Sequence, residues 1–287
     1  MMRETWSPAH LAGAVVLGAA GLIATREAWA DILHVAQTDQ ESSHIFLVPI
    51  VAAWMAWIRR IRLKFCPPTG AWIGPPIALA GWLLSLVGYY LEVLAAWHAG
   101  AVVMVVGCVL SVIGKNVLFR FLPAFAVLVF LVPVPGALRQ AIAVPLQTAT
   151  AAVTQAIFET FGEPVQRSGN LLVINDVDVT VAEACNGMRM VFALVLVSYA
   201  FAFSMPLRNA VRLLVLLASP LAAIVCNVVR LIPTIWIYGY GSHAVAEKFH
   251  DVSGWLMLPA AFLMLLGIIR VMRWALIPVS RYTLAYQ

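Results

Sequence analysis

Apolar residues run along this chain in long blocks, with polar residues gathered between them. Neither the two-residue alternation of half-buried strands nor the narrow stripe of a water-facing helix dominates. Blocks near or above the roughly 18 residues that cross a bilayer predict eight spans. They fall at about 8–25, 43–61, 72–93, 99–118, 121–135, 187–205, 211–232 and 253–275. The fifth block, Leu122 to Val134, is short and needs flanking residues or local bilayer thinning to complete a crossing. The stretch 136–186 stands outside this pattern. Its first half, Ala137 to Phe161, is helical in pattern but carries Pro145, Gln147, Thr148, Thr150, Thr154 and Gln155, which predicts an interfacial or re-entrant helix pair. In its second half, Val177, Val179 and Val181 alternate with Asp178 and Thr180 behind Asn175-Asp176, which predicts a small β-hairpin on the outer face. The expected fold class is therefore an all-α polytopic membrane protein, one integral membrane domain over 1–287.

Composition sharpens this. Of 287 residues, 63% are hydrophobic and only 11% charged, with mean hydropathy +0.93; soluble proteins carry roughly 25% charge. A water-soluble fold, a disordered chain and a secreted disulfide scaffold are excluded. A net charge of +5 suggests nucleic acid as a partner, but no basic stripe interleaves with aromatics, and a nucleic-acid binder is excluded as well. In a bilayer, excess Lys/Arg marks cytoplasmic loops. With the N-terminus inside, the inner segments hold Arg3, Arg59, Arg60, Arg62, Lys64, Lys115, Arg120, Arg208, Arg212, Arg270, Arg273 and Arg281, twelve of the 18 basic residues. Every acidic residue except Glu4 falls on the outer side. Both termini are thus expected in the cytoplasm. Arg3, the run Leu11 to Ala24 and Ala28-Trp29-Ala30 imitate a cleaved secretory signal. Glu4 cancels Arg3, and Arg26-Glu27 interrupts the approach to the cleavage site, so a retained first helix is expected.

Because charge is scarce, each ionisable residue in an apolar setting is a candidate for chemistry. Cys66, Cys108 and Cys226 read as small buried hydrophobes. Cys185 lies at the outer start of the sixth span, where a helix N-terminus favours a thiolate, although an inert thiol plugging a helix start fits too. Arg230 interrupts the apolar run Leu213 to Tyr238, at a cost of roughly 2.5–3.5 kcal/mol on insertion scales unless it is paired or near water. It is either a cation snorkelling to headgroups or one facing a polar cavity, with Asn227 three residues earlier on the same face. His250, in a loop before the eighth span, is either a solvated residue or one oriented by Asp251. Three consecutive spans would hold Cys185, Arg230 and His250 at one membrane depth. Cys with His is an activated-nucleophile pair, and Arg stabilises a developing oxyanion. No CxxC or HExxH spacing occurs, so no metal and no cofactor is expected.

Several ordered segments resemble exosortases: Ser43-His44-Ile45-Phe46-Leu47-Val48-Pro49, Leu131-Val132-Pro133-Val134-Pro135, Leu146-Gln147-Thr148-Ala149-Thr150, Gly169-Asn170, Glu183-Ala184-Cys185-Asn186-Gly187-Met188-Arg189, Asn227-Val228-Val229-Arg230 and Phe249-His250-Asp251-Val252-Ser253-Gly254. The resemblance covers about residues 40 to 275. It implies a bacterial inner-membrane cysteine peptidase or transpeptidase acting on membrane-anchored proteins with a C-terminal sorting tail: a short motif such as Pro-Glu-Pro, a transmembrane helix and a basic cluster. The product would pass to an acceptor amine or lipid, or to water. The family's Cys, Arg and His map onto Cys185, Arg230 and His250, and Glu183, Asn186, Arg189, Asn227, Asp251 and His44 are supporting candidates. Asn186 stands where many members have Ser, and, unlike in some members, no soluble domain is expected after the last helix. Two rivals are a transporter or flippase with Arg230, Glu92 and histidines along its path, and a non-catalytic scaffold docking partners on the outer hairpin. Against the transporter, ionisable residues cluster at the outer face, and repeat-related broken helices are missing.

Overall fold

The computed structural model describes residues 6–68, 71–181 and 187–274. The chain divides into two compact units, Met1–Pro135 and Gly136–Gln287.

In the first unit, α1 (Pro8–Ala24) starts with Pro at its first position. His10 Nδ1 lies 2.8 Å from Ser7 Oγ across the cap. The helix stops at Thr25, whose hydroxyl donates to the Gly21 carbonyl at 2.8 Å. From there α2 (Arg26–Thr38) departs at 80°. No expected span covers α2, because Arg26, Glu27, Asp31, His34 and Gln37 interrupt its apolar residues; its buried face is Ala28, Ile32 and Ala36, spaced by four. A 3-10 turn, Gln40–Phe46, is capped by Asp39 and leads into α3 (Leu47–Ile58). A basic 3-10 turn, Arg60–Phe65, follows.

Next come α4 (Gly74–Tyr90) and α5 (Leu94–Arg120), an antiparallel pair in near-backbone contact. A Cβ added at Gly74, Gly81 or Gly88 of α4, or at Gly100 or Gly107 of α5, would land on the partner helix's backbone. The seven-residue spacing keeps these glycines on one seam, and small residues are how membrane helices approach closely. Gly114 (φ 77°) kinks α5. Buried His98 of α5 reaches Asp31 of α2 with Nε2···Oδ2 of 2.9 Å. The expected fifth span is only ten residues of helix, α6 (Leu122–Ala126) continued by a 3-10 segment, Val127–Leu131.

In the second unit, α7 (Gly136–Thr160) is one continuous helix where a helix pair was expected. Its polar residues are accommodated locally. Thr148, Thr154 and Thr160 donate to the carbonyls of Val144, Thr150 and Ala156 at 3.0, 2.8 and 2.7 Å. The helix is therefore long and apolar enough to cross a membrane. A three-stranded antiparallel sheet follows, β1 (Val165–Ser168), β2 (Leu171–Ile174) and β3 (Val177–Thr180), in that order. Asn175 (φ 50°) and Asp176 (φ 59°) both turn left-handed between β2 and β3, as a tight two-residue hairpin requires. The outer strand β1 was not expected, since only Val165 in it is buried.

Three long helices complete the unit: α8 (Gly187–Ser204), α9 (Asn209–Tyr240) and α10 (His243–Trp274). One core joins Met190 and Leu194 of α8, Ala222, Ala223 and Cys226 of α9, and Ala261 and Leu265 of α10. A second joins Ala202, Val211, Val215 and Ile269 near the basic ends. The sheet packs Leu172, Ile174 and Val179 against Phe158 of α7 and Leu231 and Ile235 of α9. Asn175 Nδ2 also donates to the Gly239 carbonyl at 2.9 Å.

The fold is that of an all-α membrane protein with a small sheet. Among the described residues, five helices are long and apolar enough to span, or seven if each bent pair is one span. Two of the eight expected spans, Leu122–Leu131 and Arg189–Ser204, are shorter apolar helices, while Gly136–Thr160 adds one that was not expected, so eight becomes at most seven.

Candidate functional site

Apart from His44, the candidate site residues among those described come from α8, α9 and α10. Arg230 follows Asn209 by 21 residues, or about 32 Å of helix, close to the ~30 Å hydrocarbon thickness. Its side chain is buried, 7% exposed, as is that of Asn227. Thr234, fully buried, donates to the Arg230 carbonyl at 2.8 Å. This bond feeds a polar group back into the helix beside Pro233, where the regular ladder loses a donor.

Across from Arg230 lies Gly254 of α10. A Cβ there would stand 3.0 Å from Arg230 Nη1 and 4.0 Å from Arg189 Nη2. Two guanidinium groups, from α8 and α9, therefore converge over one glycine of α10. His250 is one turn before Gly254 and shares its helical face. It lies within α10, not in a loop. The polar residues Glu247, Lys248 and Asp251 that made this segment look like a loop occupy the first turns of a helix beginning at His243. His250 Nδ1 is 3.4 Å from Asp251 Oδ1, and its side chain is 27% exposed. Nε2 is buried without a hydrogen-bond partner among the described residues. Ser253 donates to the His250 carbonyl at 3.1 Å. Between Gly254 and Pro259 the helix bends by 43°.

Glu183, Cys185 and Asn186 lie outside the described residues. In sequence, Cys185 precedes the first residue of α8 by two positions. His44 belongs to the first unit, buried in the turn Gln40–Phe46, with Nδ1 3.1 Å from the Glu41 carbonyl. Cys66, Cys108 and Cys226 carry free thiols. Burial pushes the Cys66 thiol up, against the pull of Arg120 and Arg62. Among the described residues, no three His, Cys, Asp or Glu side chains gather as metal ligands. Sequence reasoning missed Thr234 and Ser253; the available signal was a hydroxyl residue three or four positions from each candidate.

The family model for transmembrane exosortases matches residues 29–267. This chain belongs to the transmembrane exosortase family. No curated protein and no solved structure matches it. In this exosortase-family protein the matched range takes in α3 to α9, the sheet and the turn of α10 that carries His250.

Proposed function

We propose that this exosortase-family protein is a membrane cysteine peptidase or transpeptidase. Its substrates are exported proteins with a C-terminal tail made of a short motif, a transmembrane helix and a basic cluster. It resides in the bacterial inner membrane with both termini cytoplasmic, and acts at the outer face. The substrate helix enters with its basic end inside and presents the short motif at the mouth. Cys185 Sγ, its proton passed to His250, attacks the scissile carbonyl, and Arg230 balances the negative charge that develops on the carbonyl oxygen. As the C–N bond breaks, His250 gives a proton to the departing amine, leaving a thioester on Cys185. His250 then takes a proton from an acceptor amine or from water, whose attack releases the product and restores the thiol. Asn227, Arg189 and Asp251, with Glu183 and Asn186, support these groups.

The observation that carries this proposal is the meeting of Arg230 with the Gly254 face of α10, one turn from a histidine whose Nε2 is buried and lacks a described partner. Buried polar atoms are normally satisfied, so such an atom, one helical turn from the glycine that Arg230 faces, suits a group reserved for a reacting partner.

The test is co-expression with a tagged protein bearing such a tail, followed by a blot for the size change. Cys185→Ala should abolish processing while the enzyme accumulates normally in membranes. Processing at the wild-type rate in that variant would sink the proposal. Arg230→Ala and His250→Ala should each lose at least about a hundredfold in rate.

A further inference from the structure

In the first unit α1 packs on α5 and α3 packs on α6, and between these pairs lies a groove of about 840 Å³. That is within the size range of small-molecule sites, roughly 300–1,000 Å³. Its walls are apolar and small where helices would otherwise close it: Ala14 of α1, Ala52, Ala53 and Ala56 of α3. Val117 of α5 and Phe125 of α6 complete them, just past the kink at Gly114 that turns α5 aside.

Polar groups occur at one end only, where Ser7, His10 and Arg60 meet the opening. The Arg60 guanidinium sits over the Trp57 ring at 4.1 Å. Trp6 Nε1 donates to the carbonyls of Leu63 and Cys66 at 3.0 and 2.9 Å, which ties the start of α1 to the basic turn Arg60–Phe65. That turn carries Arg60, Arg62 and Lys64. Arg120 is close enough, with Arg62, to act on the Cys66 thiol. No acidic residue occurs in the sequence between Glu41 and Glu92 or between Glu92 and Glu159. The rim is thus cationic, and among the described residues no carboxylate offsets it.

We propose that this groove binds one anionic phospholipid, its acyl chain between α1 and α3 and its headgroup at Arg60. Apolar walls ending in a cationic rim match a molecule with an apolar tail and a negative head. Basic pockets between membrane helices hold such headgroups by the same charge matching. A protein helix ending in a basic cluster would bring like charges together at this rim, so the charge selects lipid over a sorting tail.

The test uses the full chain in detergent, with phosphatidylglycerol and phosphatidylcholine of identical acyl chains, read by native mass spectrometry. Wild type should retain one phosphatidylglycerol on the order of tenfold more tightly than phosphatidylcholine. Arg60→Gln should lose most of that preference. Ala53→Trp fills the groove from an exposed wall position and should lose the bound phosphatidylglycerol. Equal retention of the two lipids by wild type, or unchanged phosphatidylglycerol in Ala53→Trp, overturns the proposal. A synthetic apolar helix with a Lys-Arg end that displaces the lipid from wild type would assign the groove to a protein segment instead. If Ala53→Trp does not accumulate, Arg60→Gln alone decides, since it removes only the headgroup's partner.

Discussion

Gly254 acts by what it lacks. Any side chain there would press on the Arg230 guanidinium, since even a Cβ comes within 3.0 Å of Nη1. Gly254→Ala should therefore shift Arg230 by tenths of an ångström and, if Arg230 has the proposed role, slow tail processing by up to about tenfold, since a full ångström of misplacement can cost about a hundredfold. Membrane levels and unfolding temperature should stay near wild type, which separates the effect from misfolding. In the first unit, His98 and Asp31 offer a contrast in which stability is at stake. His98→Ala leaves the Asp31 carboxylate without its 2.9 Å partner and should cost about 1–3 kcal/mol in detergent unfolding. Asp31→Asn keeps a hydrogen-bonding group and should cost less. Arg230 was legible in the sequence because a cation in an apolar run is conspicuous. The His98–Asp31 pair was not legible, because it depends on the 80° turn into α2 at Thr25, and the four-residue spacing of Ala28, Ile32 and Ala36 among polar neighbours is a weak signal. The candidate His250 reads as a loop residue in the sequence but lies in a helix, since the exposed face of a long helix's first turns looks like solvated chain.

At the scale of elements, glycine decides how α4 and α5 meet. Gly81 and Gly107 have partner backbone where a Cβ would go. Gly81→Ala or Gly107→Ala should cost about 1–3 kcal/mol by overpacking, measured as a lower unfolding midpoint. Gly136, which has open space around it, should tolerate Ala with little change. The apolar blocks located the long helices well, but their ends were harder to place. α9 continues eight residues past the expected end at 232, to Tyr240, because Leu231 and Ile235 are buried under the sheet and not in lipid. The threonines and glutamines of α7 make the segment look too polar for a span, yet three threonines spend their hydroxyls on its own backbone. β1 left almost no trace in the sequence, since its pairing with β2 rests on backbone groups that any residue supplies.

For the whole molecule, charge distribution is the guide to orientation. In the first unit Arg59, Arg60, Arg62, Lys64, Lys115 and Arg120 lie at or near the C-terminal ends of α3 and α5, while Asp39, Glu41 and Glu92 lie before their N-terminal ends and Glu27 and Asp31 in α2. The proposed orientation, which follows the positive-inside rule, puts this basic end in the cytoplasm. A phosphatase reporter inserted at Gly169 should then be active, and one fused at Gln287 inactive. The reverse pattern would overturn the proposed orientation. The glycine seam also bears on how the chain is made. Alone in lipid, α4 would present a face of bare backbone with nothing to pack against, and α5 would present the matching face. Their favourable state is as a pair, so the hairpin should leave the insertion machinery as one unit, after Arg120 has been synthesised. The short turn at Glu92 then sets the order of events: the second helix is committed to its place before the first is released.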